Sequence, residues 1–177
     1  MNNELVSVLS AFHSSDPVAA ETVRRLMGSS DLRGRGVAYH LLQRARDRIT
    51  PPLSTAEQCS FMLDYLFECI RSDSESDEYL HSGFEAAWEL AEWVRLLERA
   101  GENGAFVSQI VQRLTETFVA ADENTRDRIE TGAVEHMMEL PSMRKYFDFW
   151  KSDPRLSTAY ELCLQWGKDH EEHVQLK

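Results

Sequence analysis

The stretch STAEQCSFMLDYLFECI, residues 54–70, decides the fold class of this chain. It opens with Ser54 and Glu57 in the spacing of a capping box, in which each side chain accepts a hydrogen bond from the backbone amide of the other residue. The apolar residues that follow recur at intervals of three and four, which places them on one face of a helix: Phe61, Met62, Tyr65, Leu66 and Ile70. The stretch therefore predicts an amphipathic α-helix.

The same period recurs between breakers along the whole chain, and no convincing run alternates at two. We therefore expect an all-α fold, either an irregular multi-helix bundle or a short solenoid-like stack of antiparallel helix pairs. With 177 residues, of which 42% are hydrophobic, a single domain spanning residues 1–177 is the expected organisation. The predicted helices cover about 4–13, 17–27, 31–50, 54–71, 77–100, 105–121, 122–140, 141–150 and 154–170. Asp16-Pro17 and Asp153-Pro154 supply two of these starts, since Asp caps a helix and Pro suits its first position.

Acidic charge is concentrated in the middle of the chain. The net charge is -11, and residues 54–127 hold sixteen acidic residues against five arginines, whereas residues 1–53 hold seven arginines against five acidic residues. Because such a surface repels phosphate backbones and anionic lipid, we expect no nucleic-acid partner and no membrane partner. The arginines at positions 44, 46 and 48 are expected to pair with the acidic middle of the chain.

The start of the chain and the cysteines predict a cytoplasmic protein. The first four residues lack a basic region and the apolar stretch 5–9 is too short for the core of a signal peptide. Apolar runs are also too short for a membrane span. Cys59, Cys69 and Cys163 are odd in number and lack a CxxC spacing, so we expect reduced, inert thiols in the core.

A helix over residues 77–100 carries an acidic stripe on one side. The stripe consists of Glu78, Glu85, Glu89 and Glu92, within about 60° of one another, with Trp88 and Trp93 at its margins. The opposite side, expected to be buried, holds Tyr79, Leu80, Phe84, Ala87, Leu90, Ala91, Val94 and Leu97. We interpret the stripe and its tryptophans as a partner-binding surface, since aromatic anchors beside concentrated charge are typical of tight interfaces. The alternative is a solvated helix face whose tryptophans pack under neighbouring helices.

Chemistry-bearing residues do not assemble into a complete site in the sequence. His170 and His173 share one helical face and can bind a divalent metal, but a third ligand in a fixed position is missing. Glu135-His136 lacks the ExxH spacing of a di-iron bundle, so we expect a solvated acid beside a partly buried histidine. The sequence contains no glycine-rich phosphate loop, nucleophile elbow or HExxH motif. We therefore expect no enzymatic activity, no cofactor and no bound metal.

The C-terminal quarter carries a series of short motifs in a fixed order. They are Thr131-Gly132, Glu135-His136, Tyr146-Phe147, Trp150, Asp153-Pro154, Ala159-Tyr160-Glu161 and Trp166-Gly167. In this order the segment resembles small helical immunity proteins encoded beside bacterial polymorphic toxins. The resemblance implies an inhibitor without catalytic activity that occupies its cognate toxin through a surface peculiar to each pair, and it transfers no functional residue.

The leading hypothesis is an immunity protein that binds and occludes a cognate bacterial toxin domain acting in the cytoplasm. The toxin is expected to have a basic active-site cleft, because the chain that covers it is acidic. A cytoplasmic target favours a nuclease, an NAD-consuming enzyme or an ADP-ribosyltransferase over a cell-wall hydrolase. The alternatives are a non-enzymatic helical scaffold or adaptor that binds a basic protein or peptide, and a metal-dependent helical-bundle enzyme.

Overall fold

The fold is all-α in a computed structural model that describes residues 16–101 and 104–171. These residues form eight α-helices, two 3₁₀ segments, one π-helical segment, and one parallel pair of two-residue strands. A boundary between Ser82 and Gly83 divides them into two compact units. None of the described helices is both long and apolar enough to cross a membrane.

The all-α prediction is confirmed, whereas three finer predictions stay open. Whether the helices form an irregular bundle or a solenoid-like stack stays a prediction. The single domain also stays a prediction, since two compact units can unfold together or separately. The helix expected over residues 4–13 lies outside the described residues.

The first unit contains three helices and both strands. Its elements are β1 (Val18–Ala19), α1 (Ala20–Met27), α2 (Leu32–Arg44), a 3₁₀ turn (Arg46–Arg48), β2 (Ile49–Thr50) and α3 (Thr55–Arg71). The predicted cap of α3 is present, because Ser54 Oγ accepts a hydrogen bond from Glu57 N at 3.2 Å. Asp31 caps α2 in the same way by accepting from Arg33 N at 3.1 Å. Local capping therefore sets where both long helices begin.

Both Asp-Pro signals place a helix start too early. Helix α1 begins at Ala20 because residues 18–19 pair with β2 in parallel. The final helix begins at Ser157, because the carbonyl of Asp153 first closes a turn by accepting from the amides of Leu156 and Ser157, both at 2.9 Å. In each case, the residues that follow the proline form backbone hydrogen bonds in a strand or a turn, so the helix begins after them.

An aromatic cluster forms the centre of the first unit. Tyr65 is fully buried, and its hydroxyl lies 3.0 Å from His81 Nδ1 and accepts from His81 N at 3.2 Å. The His40 ring stacks on His81 with the ring centroids 5.2 Å apart. Burial, and next the neighbouring His81, lowers the pKa of His40 to about 4, so this imidazole is neutral at pH 7. Tyr39 and Tyr79 complete the cluster with edge contacts to the two histidines.

The backbone at Tyr79 lies so close to Gly36 of α2 that a side chain does not fit at position 36. A Cβ atom at this position would overlap the carbonyl oxygen of Tyr79 and would lie 2.9 Å from the Tyr65 hydroxyl. The segment that contains Tyr79 is held in a turn, in which Asp77 Oδ1 accepts from Tyr79 N at 2.7 Å. The carbonyl oxygen therefore cannot move aside without breaking the turn.

Replacing Gly36 by alanine is expected to lower the free energy of unfolding by about 2 kcal/mol, because the methyl group would overlap backbone atoms. Gly34→Ala is the matched control on the same helix, since its Cβ would meet only the Ser29 side chain. Moving that side chain costs only the hydrogen bond that Ser29 Oγ accepts from Asp31 N at 3.1 Å, and alanine also gains about 0.5–1 kcal/mol of helix propensity over glycine. Urea unfolding followed by circular dichroism measures both variants. Equal losses in the two variants would contradict this packing.

The second unit consists of five α-helices with one π-helical and one 3₁₀ segment. Its elements are α4 (Gly83–Ala100), α5 (Gly104–Ala120), α6 (Glu123–Asp127), a π-helical segment (Arg128–Val134), α7 (Glu135–Met138), a 3₁₀ helix (Pro141–Ser152) and α8 (Ser157–Asp169). The residues of α6, the π-helical segment and α7 follow one another without a break, and we call them helix 123–138. Trp150 lies in the core, where its Nε1 donates to Thr115 Oγ1 at 2.8 Å and its ring packs edge-on against Phe147.

Small residues bring α4 and helix 123–138 into close contact. A Cβ atom at Gly132 would lie 2.8 Å from Ala87 Cβ and 3.4 Å from the carbonyl oxygen of Phe84. At the start of α4, a Cβ atom at Gly83 would lie 2.5 Å from the side chain of Arg128. The two backbones therefore approach so closely that no bulky side chain fits between them there.

Candidate partner-binding surface

The acidic stripe predicted from the sequence is shorter in the structure. The helix that carries it begins at Gly83 and not near Asp77, because Asp77 forms a turn in which its amide donates to Leu80 O at 2.9 Å. Glu78 lies in that turn, exposed, in the first unit. The prediction that Glu78 shares a helix with Glu85 is therefore wrong.

A sequence signal for the true helix start was present. Ser82 and Glu85 have the same Ser-x-x-Glu spacing as the capping box ahead of α3. This spacing places Ser82 directly before the first residue of α4. Because Tyr79 and Leu80 fit the same apolar period as the helix, the sequence pattern places its start several residues too early.

One residue expected on the buried side of α4 faces outward. The apolar residues Ala87, Leu90, Ala91 and Val94 are fully buried, as predicted. Phe84 was expected among them, but 47% of it is exposed. The physical reason is the close contact at Gly132, which brings the neighbouring backbone against the backbone of α4 and leaves the Phe84 ring at the edge.

The exposed side of α4 combines aromatic and acidic residues. We call it the α4 outer face, and it comprises Phe84, Glu85, Trp88, Glu89, Glu92 and Leu96. With about 3.6 residues per turn, these positions fall on one side of the helix. Trp88 is 50% exposed and Leu96 is 57% exposed, which is unusual for large apolar side chains of the same helix. Trp93, at the far margin, is half-buried.

A buried arginine fixes one of the carboxylates. Arg95 Nη1 lies 2.8 Å from Glu92 Oε1 and 3.3 Å from Glu139 Oε2, and the Arg95 side chain is only 7% exposed. Glu139 in turn lies 2.8 Å from His136 Nδ1 through its other oxygen. A buried charge requires such pairing, so Glu92 has a structural role in addition to its place on the α4 outer face.

Two side chains of the 3₁₀ helix anchor the C-terminal half of α4. Glu98 accepts hydrogen bonds from Lys145 Nζ at 2.8 Å and from the Tyr146 hydroxyl at 2.7 Å. Burial by itself raises the pKa of Glu98, but these hydrogen bonds outweigh it and hold the pKa below its usual value. Glu98 therefore remains ionised and anchors α4 within the second unit.

The histidines considered as metal ligands have other contacts. The His170 ring stacks on Trp166 with centroids 3.8 Å apart, and its Nδ1 lies 2.9 Å from the Trp166 carbonyl oxygen. His173 lies outside the described residues. Within the part of the chain that the structure describes, no three potential ligands cluster around a common point. Glu135, expected to be solvated, is half-buried instead, and burial raises its pKa.

The cysteines follow their prediction in two cases of three. Cys69 and Cys163 are fully buried, and burial raises the pKa of the Cys69 thiol to about 11 and that of Cys163 further. Thiols with such pKa values are protonated at neutral pH and are poor nucleophiles. Cys59 is half-buried, so the expectation of a core position is wrong for it.

Motif residues of the C-terminal quarter hold the second unit together. Phe147 and Trp150 are fully buried. Gly167 lets α8 approach helix 123–138, since a Cβ atom there would lie 2.5 Å from the backbone of Met138. These residues therefore explain packing, and the α4 outer face uses none of them.

Comparison of the chain with protein-family models, with curated proteins and with solved structures found no match. The exposed side chains of the α4 outer face therefore carry the functional proposal.

Trp88 and Trp150 are expected to differ in what they contribute to folding. Trp88→Ala removes a half-exposed ring and should change the free energy of unfolding by less than about 1 kcal/mol. Trp150→Ala removes a buried ring together with its hydrogen bond and should cost about 3–5 kcal/mol. Urea unfolding followed by circular dichroism compares the two variants. A Trp88→Ala loss as large as that of Trp150→Ala would place Trp88 in the folding core.

Proposed function

We propose that this protein is an immunity protein that binds and occludes a cognate bacterial toxin domain in the cytoplasm, and that the α4 outer face contacts the toxin. The observation that carries the proposal is the exposure of Phe84 and Trp88, one helical turn apart, beside Glu85 and Glu89. The resemblance of residues 125–171 to small helical immunity proteins supports a toxin as the partner. The protein acts by covering the toxin and performs no chemistry of its own.

Two features support a protein partner for the α4 outer face. Exposed aromatic side chains bury large areas on association and are frequent among residues that dominate binding energy. Carboxylates around them suppress self-association by repulsion and attract a basic surface. Three carboxylates lie on the α4 outer face, which is a small fraction of the acidic residues of the chain, and they are adjacent to its apolar side chains.

The expected partner surface is basic with an apolar depression. A toxin that acts on a nucleic acid or a dinucleotide needs cationic groups where its substrate binds. An acidic helix face that enters such a cleft competes with the anionic substrate for the same cations. Occlusion then follows from the position of the helix and requires no change in the toxin fold.

Charge reversal on the α4 outer face tests the proposal. The double variant Glu85→Lys/Glu89→Lys is expected to slow association with the toxin domain encoded beside this chain by about tenfold at low salt, and to weaken the salt dependence of that rate. Trp88→Ala is expected mainly to speed dissociation, with a loss of about 2 kcal/mol in binding. Surface plasmon resonance at two salt concentrations measures both rates.

The matched control places the same charge change elsewhere on the second unit. Glu116→Lys/Glu123→Lys alters two exposed carboxylates that lie outside the α4 outer face. Its association rate should change by less than about threefold, through net charge alone. Equal slowing by the two double variants would overturn the assignment of the surface.

Growth of bacteria that produce the toxin domain separates inhibition from mere binding. Co-production of the wild-type chain should restore growth, and the Glu85→Lys/Glu89→Lys variant should restore it less well at equal abundance. Binding without any restoration of growth would favour the scaffold or adaptor alternative. Absence of both binding and protection would overturn the proposed function.

A further inference from the structure

Two arginines of the first unit lack the acidic partners that their neighbours have. Arg24 pairs with Glu57 at 2.8 Å, and Arg33 and Arg35 also form ion pairs with carboxylates. Among the described residues, no carboxylate lies within 4.0 Å of the side-chain nitrogens of Arg44 or Arg46, although both were expected to pair. In a chain with a net charge of -11, two neighbouring guanidinium groups without carboxylate partners form a local excess of positive charge.

Both side chains line one cleft of about 400 Å³. Arg44 is the last residue of α2, Arg46 begins the 3₁₀ turn, and the fully buried Ala45 between them fixes the backbone. Both arginines are exposed, so a dissolved ligand can reach them. The volume lies within the range of about 300–1,000 Å³ that is usual for small-molecule sites.

The rest of the lining favours a small ligand with an apolar part. Pro52 and Leu53 supply apolar surface. The Leu53 carbonyl oxygen is already occupied, because it accepts a hydrogen bond from Gln58 Nε2 at 2.8 Å. The fixed negative end of α2 is offset by Arg44 in its last turn. Asp47 is the one carboxylate among the lining residues, and it opposes the binding of an anion.

We propose that this cleft binds a small organic dianion through its oxyanion groups, with Arg44 and Arg46 as its ligands. Guanidinium groups donate paired hydrogen bonds that match the oxygen geometry of phosphate and carboxylate groups. Two of them balance a dianion, as in a phosphate monoester or a compact dicarboxylate. The site lies in the first unit and is independent of the function proposed for the α4 outer face.

Inorganic phosphate is the probe, and the NMR signals of the arginine Nε–Hε groups in the full chain are the measurement. Phosphate at constant ionic strength should shift the Arg44 and Arg46 signals in a saturable way, whereas chloride should not. Arg44→Gln and Arg46→Gln should each weaken phosphate binding by roughly tenfold, the loss expected for a charge-assisted hydrogen-bonded pair. Succinate in a parallel titration distinguishes a dicarboxylate preference from a phosphate preference by the lower dissociation constant.

Two further variants make the test specific to the cleft. Arg71→Gln is the matched control, since Arg71 is also the exposed last residue of a helix but does not line the cleft. It should leave phosphate binding unchanged. Asp47→Asn should strengthen binding by about threefold, because it removes the opposing charge. Shifts that grow linearly with salt, or equal weakening by Arg71→Gln, would overturn the proposal.

Discussion

The close contact between α4 and helix 123–138 is the constraint on which the second unit depends. It is possible because Gly132 faces Ala87, so that a single added Cβ atom would lie 2.8 Å from the alanine methyl group. Interiors are packed too densely to absorb such an atom without displacement. The contact sets both the distance between the helices and the rotation of α4 about its axis. That rotation decides which side chains of α4 face solvent.

The α4 outer face follows from this rotation. Phe84 and Trp88 remain exposed, while Ala86, Ala87 and Ala91 take buried positions. Arg95 reverses the usual pattern, since it is buried and binds Glu92 and Glu139. A helix that buries its small residues and the Arg95 side chain and leaves two aromatic rings outside depends on its partner helix for folding and keeps an exposed apolar area. Such exposed apolar area is unusual for a helix face that only meets solvent.

The sequence predicted the helices better than their orientation. Ser54 and Asp31 cap their helices through local hydrogen bonds. Caps of this kind can be predicted from the spacing of residues in the sequence. The start of α4 was misplaced because Asp77 uses its side chain to close a turn, an alternative to helix that Asp side chains offer. The exposure of Phe84 cannot be predicted from the sequence, because the helical period shows only which apolar residues share a face of the helix. Which part of that face is covered depends on Gly132, nearly fifty residues away in the chain.

Fluorine NMR of the protein labelled with 5-fluorotryptophan tests most directly whether the exposed aromatic side of α4 is an interface. The chain has four tryptophans, so Trp88 can be assigned from the spectrum of Trp88→Phe. In the free protein, the Trp88 signal should shift between H₂O and D₂O, whereas that of the buried Trp150 should not. Adding the toxin domain should abolish the solvent shift of Trp88 and leave Trp150 unchanged. A Trp88 signal that keeps its full solvent shift in a saturated complex would contradict the account.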